Sequence, residues 1–347
     1  MVRLTSRPSK HVSAAPDPPS RCQRLHTTHS KKLSFLKNFV FFIIYFYRHV
    51  PSALTHLFPP LLSFTEHPTT FTIARVRGLT LSTLLTTAQL RSRHIAAAIR
   101  NLHAIHSYGA HEQCAMLYAN HATKVCRRYD QSRPVYKAVG LTDSHFASLL
   151  RKLRNYETER RALPAAVIHG DPFLTNVLVD SSSSSSLASE TDSGGGGGDG
   201  GLRFIDMRGA QGDCLTLAGD AVYDLAKMLQ SLLGYDVLLA DEPLRAGTVD
   251  MLCGHLRVYW EQVRVLYTKI RATDILTVCC GLVTSLIPLH DNSKHQREFA
   301  TMAKVLLQAC DEAEEGADGF ATSGEVVRKV VQARLLSFFS AGVGHGG

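Results

Sequence analysis

The stretch V-I-H-G-D-P-F-L-T-N-V-L-V-D at residues 167–180 restricts the possible fold more than any other part of the chain. Apolar runs at 166–168 and 176–179 predict two short strands on either side of a polar loop. A third apolar run, L-R-F-I at 202–205, ends in Asp206. Residues 181–201 are rich in Ser and Gly and too polar to pack, which predicts the lengthened tip of a hairpin. We therefore expect Asn176 and Asp206 to be close in space although the insert separates them in sequence.

The polar residues of these segments are those that transfer of a phosphoryl group to a hydroxyl requires. Such a site needs a carboxylate that accepts the hydroxyl proton, oxygen ligands for magnesium, and rigid placement of both. Asp171 is the candidate base, and His169 belongs to the same catalytic loop, as a structural residue rather than a proton donor. The amide oxygen of Asn176 and the carboxylate of Asp206 are hard ligands of the kind that magnesium prefers.

A third motif, G-D-A-V-Y-D-L-A-K at 219–227, predicts the start of a helix. Asp220 has the residue type and position of a helix N-cap. Asp224, one turn later, is expected to face the catalytic loop and hold its backbone amides. Both aspartates are expected to support the site rather than to react, and the chain is predicted to be mainly helical from there to about residue 336.

Together these motifs resemble the aminoglycoside phosphotransferase and choline kinase family. Its pattern of H-x-D-x-x-x-x-N, a strand ending in I-D, and a D-x-x-x-D-L/I-A helix is matched here at 169–176, 204–206 and 220–226. In detail the chain is most similar to members found beside capsule and sugar-nucleotide genes, whose segments read I-D-x-R-G and Y-D-L-A-K-x-x-Q-S-L-x-G-Y-D. The resemblance covers about residues 46–310, with strong motifs only between 167 and 236.

The resemblance implies an α+β, protein-kinase-like fold with a reduced, few-stranded N-lobe and a large, mainly helical C-lobe. It also implies ATP and Mg²⁺ as cofactors, a small-molecule hydroxyl as acceptor (a sugar, an aminoglycoside-like compound or an amino alcohol), and cofactor binding to the hinge backbone near Arg75, Val76 and Arg77. The predicted domains are a disordered or mis-assigned segment at 1–45, a remnant N-lobe with the hinge strand at 46–78, a helical C-lobe at 79–336 and a disordered tail at 337–347.

The N-terminal part departs from the family pattern. The first glycine of the chain is Gly78, so the given sequence has no glycine-rich loop upstream to cover the phosphates. The strand lysine and the helix glutamate of a kinase N-lobe also lack clear counterparts, because Asp17 and Glu66 are the only acids before the hinge. Three explanations are open: a truncated or mis-started chain, which we favour, a pseudokinase, or a site completed by another chain. The predicted function is ATP-dependent phosphorylation of a hydroxyl, with a catalytically inactive pseudokinase or binding module as the alternative, so it is uncertain from the sequence whether the chain is an enzyme.

The distribution of charge and the composition indicate which partners and which compartment to expect. Nine basic residues and one acid within residues 1–50 account for the whole net charge of +8, so the body of the chain gives no support to nucleic-acid binding. The aromatic run at 33–47 is shorter than the roughly 20 residues that span a bilayer, and membrane association is not expected; a buried helix and a signal-peptide core are the competing interpretations. Cys279 and Cys280 lie in an apolar helical stretch and are predicted to be buried free thiols. A cytoplasmic location is expected, with organelle targeting by the basic N-terminal segment as the alternative.

Overall fold

The structure is a computed structural model that describes residues 2–5, 23–24, 31–66, 69–109, 116–181, 201–241 and 246–315. The contacts within the chain divide it into two units. The first comprises Met1–Leu81, Arg100–Leu117 and Pro164–Gly219, and the second comprises Ser82–Ile99, Tyr118–Leu163 and Asp220–Gly347. The N-terminal strands thus share a unit with the predicted catalytic loop. The predicted domain boundaries at residues 45, 78 and 336 stay predictions.

The strands are short and lie mainly in the first unit. β4 lies between β1 and β3 in an antiparallel sheet, and β6 pairs antiparallel with β7, with Val177 opposite Phe204. The strands are β1 Val2–Thr5, β2 Gln23–Arg24, β3 Leu61–Glu66, β4 Thr69–Ile73, β5 Pro164–Ala165, β6 Val177–Val179, β7 Leu202–Phe204, β8 Ala210–Gln211, β9 Cys214–Leu215 and β10 Gly219–Asp220.

These strands agree in part with the sequence. The hairpin of β6 and β7 forms as predicted, and residues 182–200 of the insert lie outside the described residues. The strand predicted at 166–168 is wrong, because β5 ends at Ala165 and the Ile168 N–H donates to the carbonyl of Leu217 at 2.8 Å instead of to a neighbouring strand. The alternating pattern F-T-I-A-R-V-R at 71–77 also predicts a strand. The strand found there, β4, lies further towards the N-terminus and ends at Ile73.

Helices make up most of the described chain. A π-helical turn, Ser231–Tyr235, joins α6 to α7. The helices are α1 Lys31–His49, α2 Leu81–Thr86, α3 Ser92–His106, α4 Ala122–Ala138, α5 Asp143–Thr158, α6 Ala221–Gln230, α7 Asp236–Leu239, α8 Ala246–Leu266, α9 Ala272–Leu286 and α10 Ser293–Glu315. Few short strands and many helices confirm the predicted α+β class.

Helix α1 is the main difference from the sequence-based expectation. It begins at Lys31, inside the segment predicted to be disordered or mis-assigned. Val40, Ile43 and Ile44, spaced three and four residues apart, form one apolar face that packs with Phe71 of β4 in the core of the first unit. From Val40 to Phe46 the aromatic run therefore lies mainly buried in a helix, which is one of the two interpretations of that run.

The core of the second unit is built around α9. The window Ala272–Leu289 is long and apolar enough to cross a membrane, with a mean hydropathy of 1.7, but 78% of it is buried within the protein, as in the central helix of a globular core. Cys279 and Cys280 are buried free thiols, as predicted, whereas Cys214 of β9 forms a disulfide bond that the sequence did not predict. Trp260 of α8, the single tryptophan of the chain, is buried with its ring edge-on to Tyr259 at 5.0 Å.

Candidate functional site

The loop between Ile168 and β6 is held by its own polar groups. His169 is completely buried, and its Nδ1 accepts a hydrogen bond from the backbone N–H of Asp171 at 3.1 Å. The imidazole lies edge-on to Phe204 of β7, with 5.4 Å between the ring centroids. These contacts give His169 a structural part in the loop, because they fix the backbone that carries Asp171.

The segment after Asp206 crosses directly over this loop. Gly170 has a φ of +83°, a conformation that costs glycine little, and a Cβ there would lie 2.7 Å from the Cβ of Arg208. The backbone N–H of Arg208 donates to the carbonyl of His169 at 2.8 Å. The glycine is therefore required both by the turn and by the close approach of the two segments.

Asn176 connects the loop to the second strand of the hairpin. Its side-chain Nδ2 donates to the carbonyl of Asp171 at 2.9 Å, and its backbone carbonyl accepts from the N–H of Ile205 at 3.0 Å. Because the amide nitrogen is the donor, Oδ1 is the atom that this side chain can offer to a cation. The structure thus brings Asn176 next to Ile205–Asp206 across the insert, as the hairpin predicted.

Asp206 directly follows Ile205 and has a backbone conformation that is uncommon for residues other than glycine. Its φ is +61°, a region that aspartate enters more readily than most residues and that often marks functional positions. Burial, and to a smaller extent the nearby negative charge of Asp171, raise the pKa of its carboxyl group. A cation between the two carboxylates would relieve this repulsion.

The donor set fits magnesium, although the described residues contain no group of three or more His, Cys, Asp or Glu side chains arranged to hold a metal ion. Magnesium keeps several waters and uses one or two carboxylates together with substrate phosphates. One carboxylate, from Asp206, and one amide oxygen, from Asn176, are consistent with that requirement. An ion such as zinc, which needs three or four protein ligands, would not be served by this pair.

Arg208 is a member of the site that the sequence analysis missed. Its Nη2 lies 3.6 Å from Oδ2 of Asp171, and the two side chains are 33% and 22% exposed. An ion pair this accessible to water contributes little to stability. Its effect is local, since it places a positive charge beside the candidate base. The signal was available in the I-D-x-R-G pattern at 205–209, which contains this arginine.

Tyr47 of α1 was also missed. Its hydroxyl is buried and has no hydrogen-bond partner among the described residues. Burial, and secondarily the negative charge of Asp206, raise the pKa of this phenol. The ring packs against the core formed by α1 and β4. A buried hydroxyl beside the candidate metal ligand is an unused donor, and no local feature of the sequence pointed to it.

This arrangement predicts opposite effects for two Tyr→Phe replacements. In Tyr47→Phe the ring packing is kept and a buried unpaired hydroxyl is removed, so we expect the free energy of unfolding to stay the same or to rise by up to about 1 kcal/mol. In Tyr136→Phe, the matched control, a hydroxyl that donates to the carbonyl of Thr284 at 3.3 Å is lost, and stability should fall by about 1 kcal/mol. Urea unfolding measures both. Equal losses in the two variants would show that the Tyr47 hydroxyl has a partner.

The hinge segment, residues 74–78, runs along the edge of β6. Gly78 passes so close to this strand that a Cβ would lie 1.6 Å from the carbonyl oxygen of Val179, and the carbonyl of Arg77 accepts from the N–H of Ser181 at 2.7 Å. The segment is therefore fixed in place. Cofactor binding to its backbone near Arg75, Val76 and Arg77 stays a prediction.

In the second unit, Asp220 is the N-cap of α6, as the sequence predicted. It is buried and accepts four hydrogen bonds, from the N–H groups of Val222 at 3.0 Å and Leu163 at 3.1 Å, the hydroxyl of Tyr156 at 2.6 Å, and Nε2 of His121 at 3.0 Å. His121 and Tyr156 also stack, with 5.4 Å between ring centroids.

Asp224 is buried on α6, and its contact with the catalytic loop stays a prediction. The structure thus brings Asp171, Asn176 and Asp206 together within the first unit, while Asp220 organises the start of α6 within the second.

No protein-family model matches the chain, and no curated protein matches it. Three solved structures are similar to it. A choline/ethanolamine kinase family protein from Mesorhizobium loti is 13% identical, with 84% of this chain and 83% of that one covered and a TM-score of 0.45. An ethanolamine kinase from Plasmodium vivax is 12% identical, with 88% and 74% covered and a TM-score of 0.41, and a choline kinase from Cryptosporidium parvum is 9% identical, with 92% and 81% covered and a TM-score of 0.35. Similarity at this level carries no argument about activity.

Proposed function

We propose that the chain is a magnesium-dependent phosphotransferase that uses ATP to phosphorylate a hydroxyl group of a small molecule. The observation that supports this most directly is that Asn176 connects the other two residues. Its side chain donates to the carbonyl of Asp171, and its own carbonyl accepts from the N–H of Ile205, the residue before Asp206. Phosphoryl transfer depends almost entirely on positioning and on stabilisation of charge. These three side chains supply a base and two oxygen ligands from a rigid loop and hairpin.

Each residue of the site has a defined task in this proposal. Asp171 accepts the proton of the attacking hydroxyl through its carboxylate, and Arg208 orients that carboxylate from 3.6 Å away. His169 holds the Asp171 backbone. Oδ1 of Asn176 and the carboxylate of Asp206 would hold Mg²⁺, which supplies neutralisation of phosphate charge when bound. The acceptor that we propose, a sugar, an aminoglycoside-like compound or an amino alcohol, rests on the sequence resemblance alone.

The second candidate is a catalytically inactive pseudokinase or binding module. One observation favours it: the described part of α1 next to the site presents aromatic side chains such as Tyr47, with no acid in the helix to pair with a phosphate-binding lysine. A binding module would keep affinity for nucleotide or metabolite and show no turnover. Transfer of phosphate to an acceptor therefore separates the two candidates.

The first test of the proposal is binding of Mg²⁺-ATP to the full chain, measured by calorimetry. We expect saturable binding that Asp206→Ala weakens at least tenfold, since it removes a charged metal ligand. Asp213→Ala, at an exposed turn between β8 and β9, is the matched control and should bind like the unaltered chain. Absence of binding, or equal affinity in the Asp206 and Asp213 variants, would contradict the proposal.

The pH dependence of this binding has a predictable sign. The pKa of Asp206 is raised by burial and by Asp171, and a protonated carboxyl does not bind a cation. Affinity for Mg²⁺-ATP should therefore fall as the pH is lowered, beginning at a higher pH than an ordinary aspartate would cause. In Asp206→Ala this contribution to the pH dependence should be absent.

A further inference from the structure

The first unit contains a cavity whose lining does not include Asp171, Asn176 or Asp206. It has a volume of about 230 Å³ and is bounded by residues 59–60, by the hinge segment and by the ends of β6 and β7. Among the described residues, the lining contains three arginines, Arg75, Arg77 and Arg203, and one acid, Asp180. We propose that this cavity binds a small anion that carries a phosphate group.

The charges of the cavity support this proposal. Arg75 and Arg77 are two residues apart in the chain and both exposed, whereas Val76 between them is half-buried, as expected where side chains alternate along an extended segment. Among the residues that the structure describes, neither arginine lies within ion-pair distance of a carboxylate. Two positive side chains held on the same side of a fixed segment repel each other, and a bound anion would relieve that repulsion.

The third arginine is partly neutralised. Nε of Arg203 lies 3.6 Å from Oδ2 of Asp180, and the side chains are only 21% and 13% exposed. Among the described residues that line the cavity, three guanidinium groups and one carboxylate leave a positive excess in a partly enclosed space. Asp180 is therefore expected to compete with an incoming anion for the positive charge, which predicts the sign of the effect when it is replaced.

The backbone of the cavity is fixed, so binding a ligand need not order it; only the exposed arginine side chains lose freedom. At one end, the N–H of Ala74 donates to the carbonyl of Pro60 at 2.8 Å. At the other end, the N–H of Ser181 donates to the carbonyl of Arg77 at 2.7 Å, and the N–H of Val179 donates to the carbonyl of Leu79 at 2.9 Å. These backbone hydrogen bonds fasten both ends of the hinge segment to the strands beside it.

The volume of the cavity and the shape of the guanidinium groups restrict which ligand can bind. Pockets for drug-sized molecules usually enclose about 300–1,000 Å³, so a cavity of about 230 Å³ suits a smaller ligand. The planar fork of an arginine matches the oxygens of a phosphate group and can bind two of them at once. Pro59, Pro60, Ala74 and Val76 supply apolar lining as well, but three guanidinium groups favour a charged ligand over a neutral ring.

The test is a calorimetric titration of the full chain with inorganic phosphate at low ionic strength, where screening is weakest. We expect saturable binding that the double replacement Arg75→Ala and Arg77→Ala weakens at least tenfold, because charge-assisted hydrogen bonds are lost. Arg151→Ala, at an exposed position of α5, is the control and should leave the affinity unchanged. Absence of phosphate binding, or equal affinity in the double variant and the control, would overturn the proposal.

Asp180→Asn provides a second test, in which the phosphate affinity should change in the opposite direction. Removal of the competing negative charge should tighten phosphate binding several-fold, and an unchanged or weaker affinity would contradict the assignment. Adenosine is the discriminating probe. Displacement of phosphate by adenosine would assign the cavity to a nucleoside and overturn the proposal, whereas no displacement supports it. The predicted cofactor binding to the hinge backbone near Arg75, Val76 and Arg77 competes with this proposal, and the adenosine arm decides between them. No arm uses magnesium or transfer of phosphate, so failure of the inference is distinguishable from failure of the proposed function.

Discussion

Asp171→Asn is expected to lower kcat for phosphotransfer by roughly 10²–10⁴-fold, the range typical for loss of a general base, while Mg²⁺-ATP affinity changes little. Asparagine has nearly the same shape as aspartate but cannot accept the proton of the attacking hydroxyl. The contacts that hold the loop use backbone atoms of residue 171, its N–H with His169 and its carbonyl with Asn176. The substitution should therefore leave the loop in place and remove one chemical group.

This expectation is checked by following ADP release with a panel of sugars and amino alcohols as acceptors. Asp213→Asn makes the same chemical change at an exposed turn and should retain full kcat. If Asp171→Asn kept kcat within about twofold of that control, Asp171 would not be the base. If the unaltered chain bound Mg²⁺-ATP but released no ADP with any acceptor, the pseudokinase alternative would gain support.

Asp220→Ala is expected to destabilise the protein by about 4 kcal/mol. The change removes the N-cap of α6, a loss of roughly 1 kcal/mol. It also leaves the Tyr156 hydroxyl, Nε2 of His121 and the Leu163 N–H without their acceptor. Each such group costs about 1–3 kcal/mol when it stays buried and unpaired, and local relaxation offsets part of the sum.

Urea denaturation measures this effect, and Asp213→Ala is the control for the loss of a carboxylate as such. A destabilisation within about 0.5 kcal/mol of that control would show that the buried cluster around Asp220 contributes little. Tyr156→Phe removes only one of the four hydrogen-bond donors. The stability of Tyr156→Phe should therefore lie between those of Asp220→Ala and Asp213→Ala, with a loss of about 1 kcal/mol.

The parts of the fold that were predictable are those with a local signal. The hairpin of β6 and β7 followed from two apolar runs around a polar insert, and the N-cap at Asp220 followed from residue type just before a helical pattern. The strand predicted at 166–168 failed for a physical reason. Val167 and Ile168 are apolar and buried, but the Ile168 N–H donates to a loop carbonyl, and no described strand pairs with these two residues. Apolar character signals burial and does not by itself specify the hydrogen-bond partner.

The unpredicted parts of the site depend on contacts between distant residues. His121 and Tyr156 reach Asp220 across 99 and 64 residues of sequence, and Tyr47 lies far from Asp206 in the chain. No periodicity or motif brings such pairs together, because they are set by the packing of whole helices. Helix α1 is an intermediate case: the spacing of Val40, Ile43 and Ile44 is helical, but the lack of acids and the aromatic content made the segment resemble sequence outside a folded domain.

The position of Trp260 makes the second unit optically distinct from the first. Its indole is the only one in the chain and is buried beside Tyr259, so its fluorescence will report loss of packing around α8 in the second unit. A tryptophan introduced in place of Phe204, in a chain whose Trp260 is replaced by Phe, would provide the complementary signal from the first unit. Coincident denaturation curves from the two probes would mean that the units unfold as one cooperative block, and separated curves would give each unit a stability of its own.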